Sequence, residues 1–272
     1  MSVTARLDAE LVRRGLARSR RRAGELIAAG RVAVDGVRVV RPATAVDDGR
    51  VLVVDDDPED PGYASRAAHK LAGALDVWEP AGLTVTGRDC LDAGASTGGF
   101  TDVLLRRGAR HVVAVDVGHG QLRPEIAADP RVESREGVNV RQMVAGDVAP
   151  APELVVVDLS FISLRLVLAP LAAVAAPGAD LVVLVKPQYE VGRARLGSGG
   201  VVRDAAARRD AVLGVLEAAD GAGLAATGLV VSPLAGHDGN VEFFCWLRGR
   251  AATAGAARLD GARIDEVLGG TP

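Results

Sequence analysis

Of the 32 cationic side chains in this 272-residue sequence, thirty are Arg and only Lys70 and Lys186 are Lys. Arg keeps its proton at any working pH, whereas a desolvated lysine beside another cation can lose its proton and act as a base. Where charge alone suffices this chain uses Arg, so its two lysines are the first candidates for proton chemistry. Lys186 follows the apolar run LVVLV and precedes Pro187, at the end of an expected buried strand. Asp158 closes ELVVVD in the same way, Glu242 opens VEFFCWL, and Lys70 lies in ASRAAHKLAGAL, a helix leading into the same region. Each alone reads equally as a surface charge or an ion pair. Gathered at one sheet edge, they form a group able to take, hold and direct a proton.

A second cluster is built of small residues. Leu91-Asp92-Ala93-Gly94-Ala95-Ser96-Thr97-Gly98-Gly99-Phe100 turns sharply from a strand into a helix and lets a ligand approach the backbone. Asp116 ends the next strand, HVVAVD, where a carboxylate can accept both hydroxyls of a ribose. The spacing DAGASTGG differs from GxGxxG, an acid precedes the first glycine, and no GxxxxGK[ST] loop occurs. An adenosyl ligand without a diphosphate therefore fits better than NAD or ATP.

This segment resembles motif I of S-adenosylmethionine-dependent methyltransferases, in the version DAGASTGGFTDVLL found in ribose methyltransferases of RNA. The similarity continues through Asp116 and REGVNVR around Asn139. It implies S-adenosyl-L-methionine as cofactor, held by Asp92, Gly94, Ala95, Ser96, Thr97, Gly98, Gly99, Phe100, Asp116, Asn139 and Asp158.

The elements that must position these groups alternate: CLDAG, a helix from about Thr97, HVVAVD, ELVVVD, LVVLV, LAATGLVVS and VEFFCWL. Such alternation predicts an α/β, Rossmann-like parallel sheet covered on both faces, with ligands at the carboxyl ends of the strands. Leu166 to Val185 is nearly uncharged over a membrane-spanning length, but Pro177-Gly178 cuts it into a helix and a strand, so no membrane partner is expected. The opening MSVTARLDAELVRRG lacks a signal core. Cys90 and Cys245 are far apart with no CxxC pair, and the four His lack ligand spacing, so no metal is expected and a cytoplasmic setting fits.

The net charge of −3 conceals an asymmetry. Met1–Arg41 carries ten Arg against four acids, and Pro42–Gly62 carries one Arg against seven acids. This switch, with DDDPEDPG at Asp55–Gly62, separates a basic module from the remainder of the chain. Within the module Leu7, Leu11 and Val12 mark one helix, Ser19 caps a second built on Ala23, Leu26 and Ile27, and VAVDG with VRVV forms a hairpin turning at Asp35-Gly36. RLDAELVRRGLARSRRRAGELIAAGRVAVDGVRVV is similar to the small α+β RNA-binding domain named after the fourth protein of the small ribosomal subunit. The resemblance implies RNA contacts at Arg6, Arg14, Arg18, Ser19, Arg20 and Arg31, reading shape and phosphates rather than sequence. The expected division is residues 1–56 for RNA binding, 57–63 as acidic linker, 64–249 for the methyltransferase and 250–272 as tail.

Lys70, Asp158, Lys186 and Glu242 match the Lys-Asp-Lys-Glu tetrad of RNA 2′-O-methyltransferases. With SRAAHKL, VVVDLSFISL, VLVKPQYEVG and HDGNVEFF, they make the chain resemble the TlyA-type, or haemolysin A, family of ribosomal RNA cytidine 2′-O-methyltransferases. That resemblance implies ribosomal RNA or ribosomal subunits as partner and Lys186 as base. Phe100 and Phe161 are expected in the core, with stacking on a splayed base the alternative they share with Tyr189. Two rival functions are weighed. A non-catalytic RNA-binding ribosome factor on a methyltransferase scaffold predicts a degraded loop or tetrad, and a membrane-lytic haemolysin needs an unbroken apolar span.

Overall fold

The computed structural model describes residues 4–17, 19–55, 61–192, 195–236, 238–249 and 259–270, and the chain divides between Gly62 and Tyr63 into two units. Arg18, residues 57–60 of the linker, and His237 lie outside the described residues.

In the first unit, β1 (Ala5–Arg6) leads directly into α1 (Leu7–Arg13), and α2 (Arg20–Ala28) follows. Ser19 Oγ accepts from Arg22 N at 3.1 Å and caps α2. β2 (Val32–Val34) and β3 (Val37–Arg38) form the hairpin, with Asp35 at φ 50° and Gly36 at φ 81° as a two-residue turn. β4 (Ala45–Val46) pairs with β1, and β5 (Leu52–Val54) pairs with β2. Leu7, Leu11, Ala23, Leu26, Ile27 and Val32 close a small core between the helices and the sheet.

The second unit opens with α3 (Arg66–Trp78), then β6 (Asp89–Ala93), α4 (Gly99–Arg106), β7 (His111–Asp116), α5 (Pro124–Ala127) and β8 (Val132–Glu136). It continues with β9 (Leu154–Val157), α6 (Leu168–Val174), β10 (Asp180–Val185), α7 (Pro187–Glu190) and α8 (Ala205–Gly221). β11 (Leu224–Val231), β12 (Phe243–Gly249) and α9 (Gly261–Gly269) complete it. The seven strands lie in the order β11-β12-β10-β9-β6-β7-β8, parallel except for β12, which runs against both neighbours. β8 is a strand that no apolar run announces: VESRE sits at the sheet edge with one neighbour and is only partly covered.

The buried strands point alternate residues to opposite faces. Val182 and Leu184 meet Leu71, Leu75 and Leu104 of α3 and α4, while Leu181, Val183 and Val185 join Leu168, Leu171, Val212 and Val215 of α6 and α8. Ile264 and Leu268 of α9 enter this second cluster, and Leu259 N donates to Ala226 O at 3.0 Å, so the described end of the chain belongs to the second unit's core. Among the described residues no helix is long and apolar enough to cross a membrane.

Candidate active site

Parallel register brings four strand ends together. Ala93 pairs with Val115 on one side and Val157 on the other, which places Gly94 beside Asp116 and Asp158. Val185 pairs with Phe243, so one further step along the antiparallel ladder sets Lys186 opposite Glu242. Lys186 Nζ lies 2.6 Å from Asp158 Oδ1, and Lys70 Nζ, from the buried face of α3, donates to Glu242 Oε2 at 2.6 Å. All four side chains are buried or nearly so. The geometry therefore yields two acid–lysine pairs on adjacent strand ends. Burying an ion of either sign alone would cost several kcal/mol, which the pairing offsets.

Lys186 also donates to Ser160 Oγ at 3.0 Å. Ser160 escapes a reading of sequence because a serine three residues past the end of β9 is ordinary loop composition. The fold alone gives it this partner.

The loop after β6 is shaped by close approach. Gly94 has φ +93°, and a Cβ there would strike the Asp158 carbonyl oxygen; Gly98 has φ +90° and lies against Leu122 and Ile126. Gly99 admits Ser65, the residue before α3, against the start of α4. Ser96, at φ 45°, donates its N–H to Asp116 Oδ2 at 2.8 Å, and Gly118 N donates to Asp116 Oδ1 at 2.8 Å. Asp116 thus joins both walls of a shallow, solvent-open pocket lined also by Ala95, Ser96, Gln121, Leu122 and Glu136. Mixed polar and apolar walls beside a glycine-shaped turn suit a nucleoside. Beneath the loop Asp92 is fully buried; Oδ2 accepts from Thr101 Oγ1 at 2.7 Å while Oδ1 has no partner. Burial pushes its carboxyl up to about 7. An orphaned buried oxygen under a small-residue cradle fits a bound polar group, and S-adenosyl-L-methionine meets both requirements.

Several expected residues stand elsewhere. Asn139 accepts from Arg141 N at 3.1 Å and caps a single helical turn, Val140–Gln142, rather than lining the pocket. Phe100 is core: its ring packs 6.1 Å from that of Phe244, so only its backbone adjoins the glycine loop after β6. Phe161 reverses its expectation, being 90% exposed with φ +64°. A left-handed bulky residue is costly, and here it turns the ring outward, where it lies 5.4 Å from Tyr189. The pair stands where the loop after Asp158 meets α7, which begins just past Lys186.

In the first unit the arginines divide. Arg14 gives Nε to Glu10 at 2.6 Å, Nη1 to the Arg50 carbonyl at 2.6 Å and Nη2 to the Asp47 carbonyl at 3.0 Å. It is a strut between α1 and the Asp47–Arg50 turn, with Nε, Nη1 and Nη2 all engaged within the unit. Ser19 likewise spends its hydroxyl as a cap. Arg6 pairs with Asp8 at 2.9 Å yet stays 51% exposed, and Arg20, 3.5 Å from the same carboxylate, is 61% exposed. Arg31 is half-buried at the start of β2. Hydrogen bonds from Arg13 and then Arg14 hold Glu10 down to about 2.

Comparison with known proteins gives two domain matches: FtsJ-like methyltransferase over residues 63–249 and S4 domain over residues 5–52. The chain is 52% identical, over 95% of both sequences, to the 16S/23S rRNA (cytidine-2′-O)-methyltransferase TlyA of Mycobacterium tuberculosis. It is 35% identical to Hemolysin A of Brachyspira hyodysenteriae, over 88% of this chain and 97% of that one. Among solved structures, a protein described as a hemolysin from Streptococcus thermophilus superposes with a TM-score of 0.74 at 36% identity, covering 99% of this chain and 96% of the other.

Proposed function

The chain belongs to the TlyA-type branch of the FtsJ-like methyltransferases, and from that premise we propose that it methylates the ribose 2′-oxygen of cytidine in ribosomal RNA, using S-adenosyl-L-methionine. The observation that carries this reading is the pairing of the chain's two lysines, each to a carboxylate, at neighbouring strand ends beside a glycine-rich loop that opens on a pocket.

Asp92, Gly94, Ala95, Ser96, Gly98 and Asp116 would hold the cofactor, which supplies an electrophilic methyl group on a sulfonium centre. A ribose hydroxyl is a poor nucleophile until its proton is taken. Lys186, once it has released its own proton, takes that proton; Asp158 stabilises the ammonium that results. Lys70 and Glu242 form the neighbouring pair, with Glu242 opposite Lys186 and Lys70 opposing further positive charge. Holding oxygen and methyl carbon in line contributes as much as proton transfer, about 7 kcal/mol or more. Phe161 and Tyr189 offer aromatic faces for a base lifted out of its stack. Arg6 and Arg20 provide exposed cations for phosphates.

The test is transfer of labelled methyl from S-adenosylmethionine to isolated ribosomal subunits and to naked ribosomal RNA, with the labelled nucleoside identified after digestion. Label on cytidine 2′-oxygen is expected, and Lys186→Ala should abolish it while leaving RNA affinity nearly unchanged. Absence of label from every RNA, with cofactor bound, overturns the reading in favour of a scaffold role.

A further inference from the structure

Lys186 has two partners of different kinds. Asp158 Oδ1, 2.6 Å away, is its ion-pair partner. Ser160 Oγ accepts a directed hydrogen bond from the same nitrogen at 3.0 Å. Coulomb attraction pulls the whole ammonium group and is indifferent to rotation about the Cε–Nζ bond; a hydrogen bond selects one rotation. The distinction sharpens when the amine is neutral, because the ion pair is then gone while an N–H can still be donated to a hydroxyl.

We propose that Ser160 is a positioning residue for the proton transfer, its hydroxyl setting which tetrahedral corner of the Lys186 nitrogen carries the lone pair toward the ribose hydroxyl. The inference rests on Lys186 being the proton acceptor. In that step the ribose O–H bond breaks, its electron pair stays on oxygen as the nucleophile, and the proton joins the lone pair of Lys186 to give an ammonium. A neutral amine held by Ser160 has one N–H committed. Without that hold, its lone pair exchanges among the three corners and the competent arrangement is diluted.

The fold keeps Ser160 in place from both sides. Asp158 N donates to Ala93 O at 3.0 Å at one end of the loop. At the other, Glu190 accepts from Ser163 Oγ at 2.6 Å and from Leu164 N at 2.8 Å. Glu190 ends α7, the short helix that starts immediately after Lys186, so one element fixes both the base and the loop that orients it. Between the two anchors the backbone carries Phe161 in its left-handed conformation next to Ser160. A strained residue pinned at both ends marks a loop whose shape is imposed by its surroundings.

With only two lysines in the chain, lysine-specific ¹⁵N labelling yields two side-chain ammonium signals, assigned by deleting one with Lys70→Arg. Ser160 is exposed, so Ser160→Ala leaves the core intact. In that variant the Lys186 ammonium protons should exchange with water about three- to tenfold faster, the range set by the loss of one hydrogen bond, while the Lys70 signal is unchanged. The kcat should fall by a similar factor with KM for RNA unaltered, and Ser160→Thr, which keeps the hydroxyl, should restore both. Unchanged exchange and kcat in Ser160→Ala, or a threonine variant as impaired as the alanine one, overturns the proposal. The exchange measurement needs no turnover, so it fails independently of the premise; the premise itself fails if Lys186→Ala retains full activity.

Discussion

Placing one methyl group at Gly94 tests whether the loop after β6 and the residue that follows β9, Asp158, meet as closely as the structure has them. Its Cβ would press on the Asp158 carbonyl oxygen, with the carbonyl carbon at 3.0 Å and Leu159 Cδ2 at 3.1 Å. Neither side can retreat cheaply, because Gly94 N donates to Val115 O at 2.9 Å and Asp158 N to Ala93 O at 3.0 Å. The left-handed conformation costs an L-residue about 1–2 kcal/mol and overpacking adds about 1–3 kcal/mol, so Gly94→Ala should lose about 2–5 kcal/mol. For a unit of this size that lowers Tm by about 4–20 °C. Gly82 is the matched control: at φ +102° it has nothing within 4 Å of a new Cβ, so Gly82→Ala should lose only the conformational part. Thermal unfolding of both variants, with calorimetric titration of S-adenosylmethionine, makes the comparison, and Gly94→Ala should also lose cofactor affinity as Asp158 is pushed away. Equal melting of the two variants would refute the close approach, and undiminished cofactor binding would refute the role assigned to the loop.

Asp92 makes stability depend on pH with a definite sign. Its folded-state carboxyl titrates near 7, above the ordinary carboxylate value, so its favourable contribution is complete below about pH 4 and is lost as pH rises toward 7. Asp92→Asn should flatten the dependence of Tm on pH across that window, and a slope equal to wild type would exclude the assignment. Arg14→Ala should lower the stability of the first unit, whereas Arg20→Ala should leave it unchanged and weaken RNA binding with a shallower salt dependence; unfolding curves and RNA titrations at several salt concentrations separate the two. Phe161→Ala should melt within about 0.5 kcal/mol of wild type and raise KM for RNA, while Phe100→Ala should cost about 3–5 kcal/mol in denaturant unfolding.

Much of the architecture was legible because burial writes itself into composition. The uninterrupted apolar runs LVVV and LVVLV are what strands covered on both faces require, and Pro177-Gly178 had to break the long apolar stretch between them. The strand VESRE was illegible for the converse reason: an edge strand with one neighbour needs no apolar signal. Asp92 near the end of β6 and the glycines of the loop after it were visible because a sharp turn with close approach admits few residue types.

The sequence by itself determined which residues have the chemistry: two lysines in a chain that otherwise uses Arg, acids at strand ends, and small residues at one turn. Only the tertiary structure decided who partners whom. Lys70 meets Glu242 across 172 positions of chain, Arg14 is consumed as a strut, Phe161 is turned to solvent by its backbone, and Ser160 reaches Lys186. The reason is physical. Composition and periodicity report what an element buries, which is a local average, whereas a side chain's partner depends on register, loop anchoring and the few ångströms over which a hydrogen bond has direction.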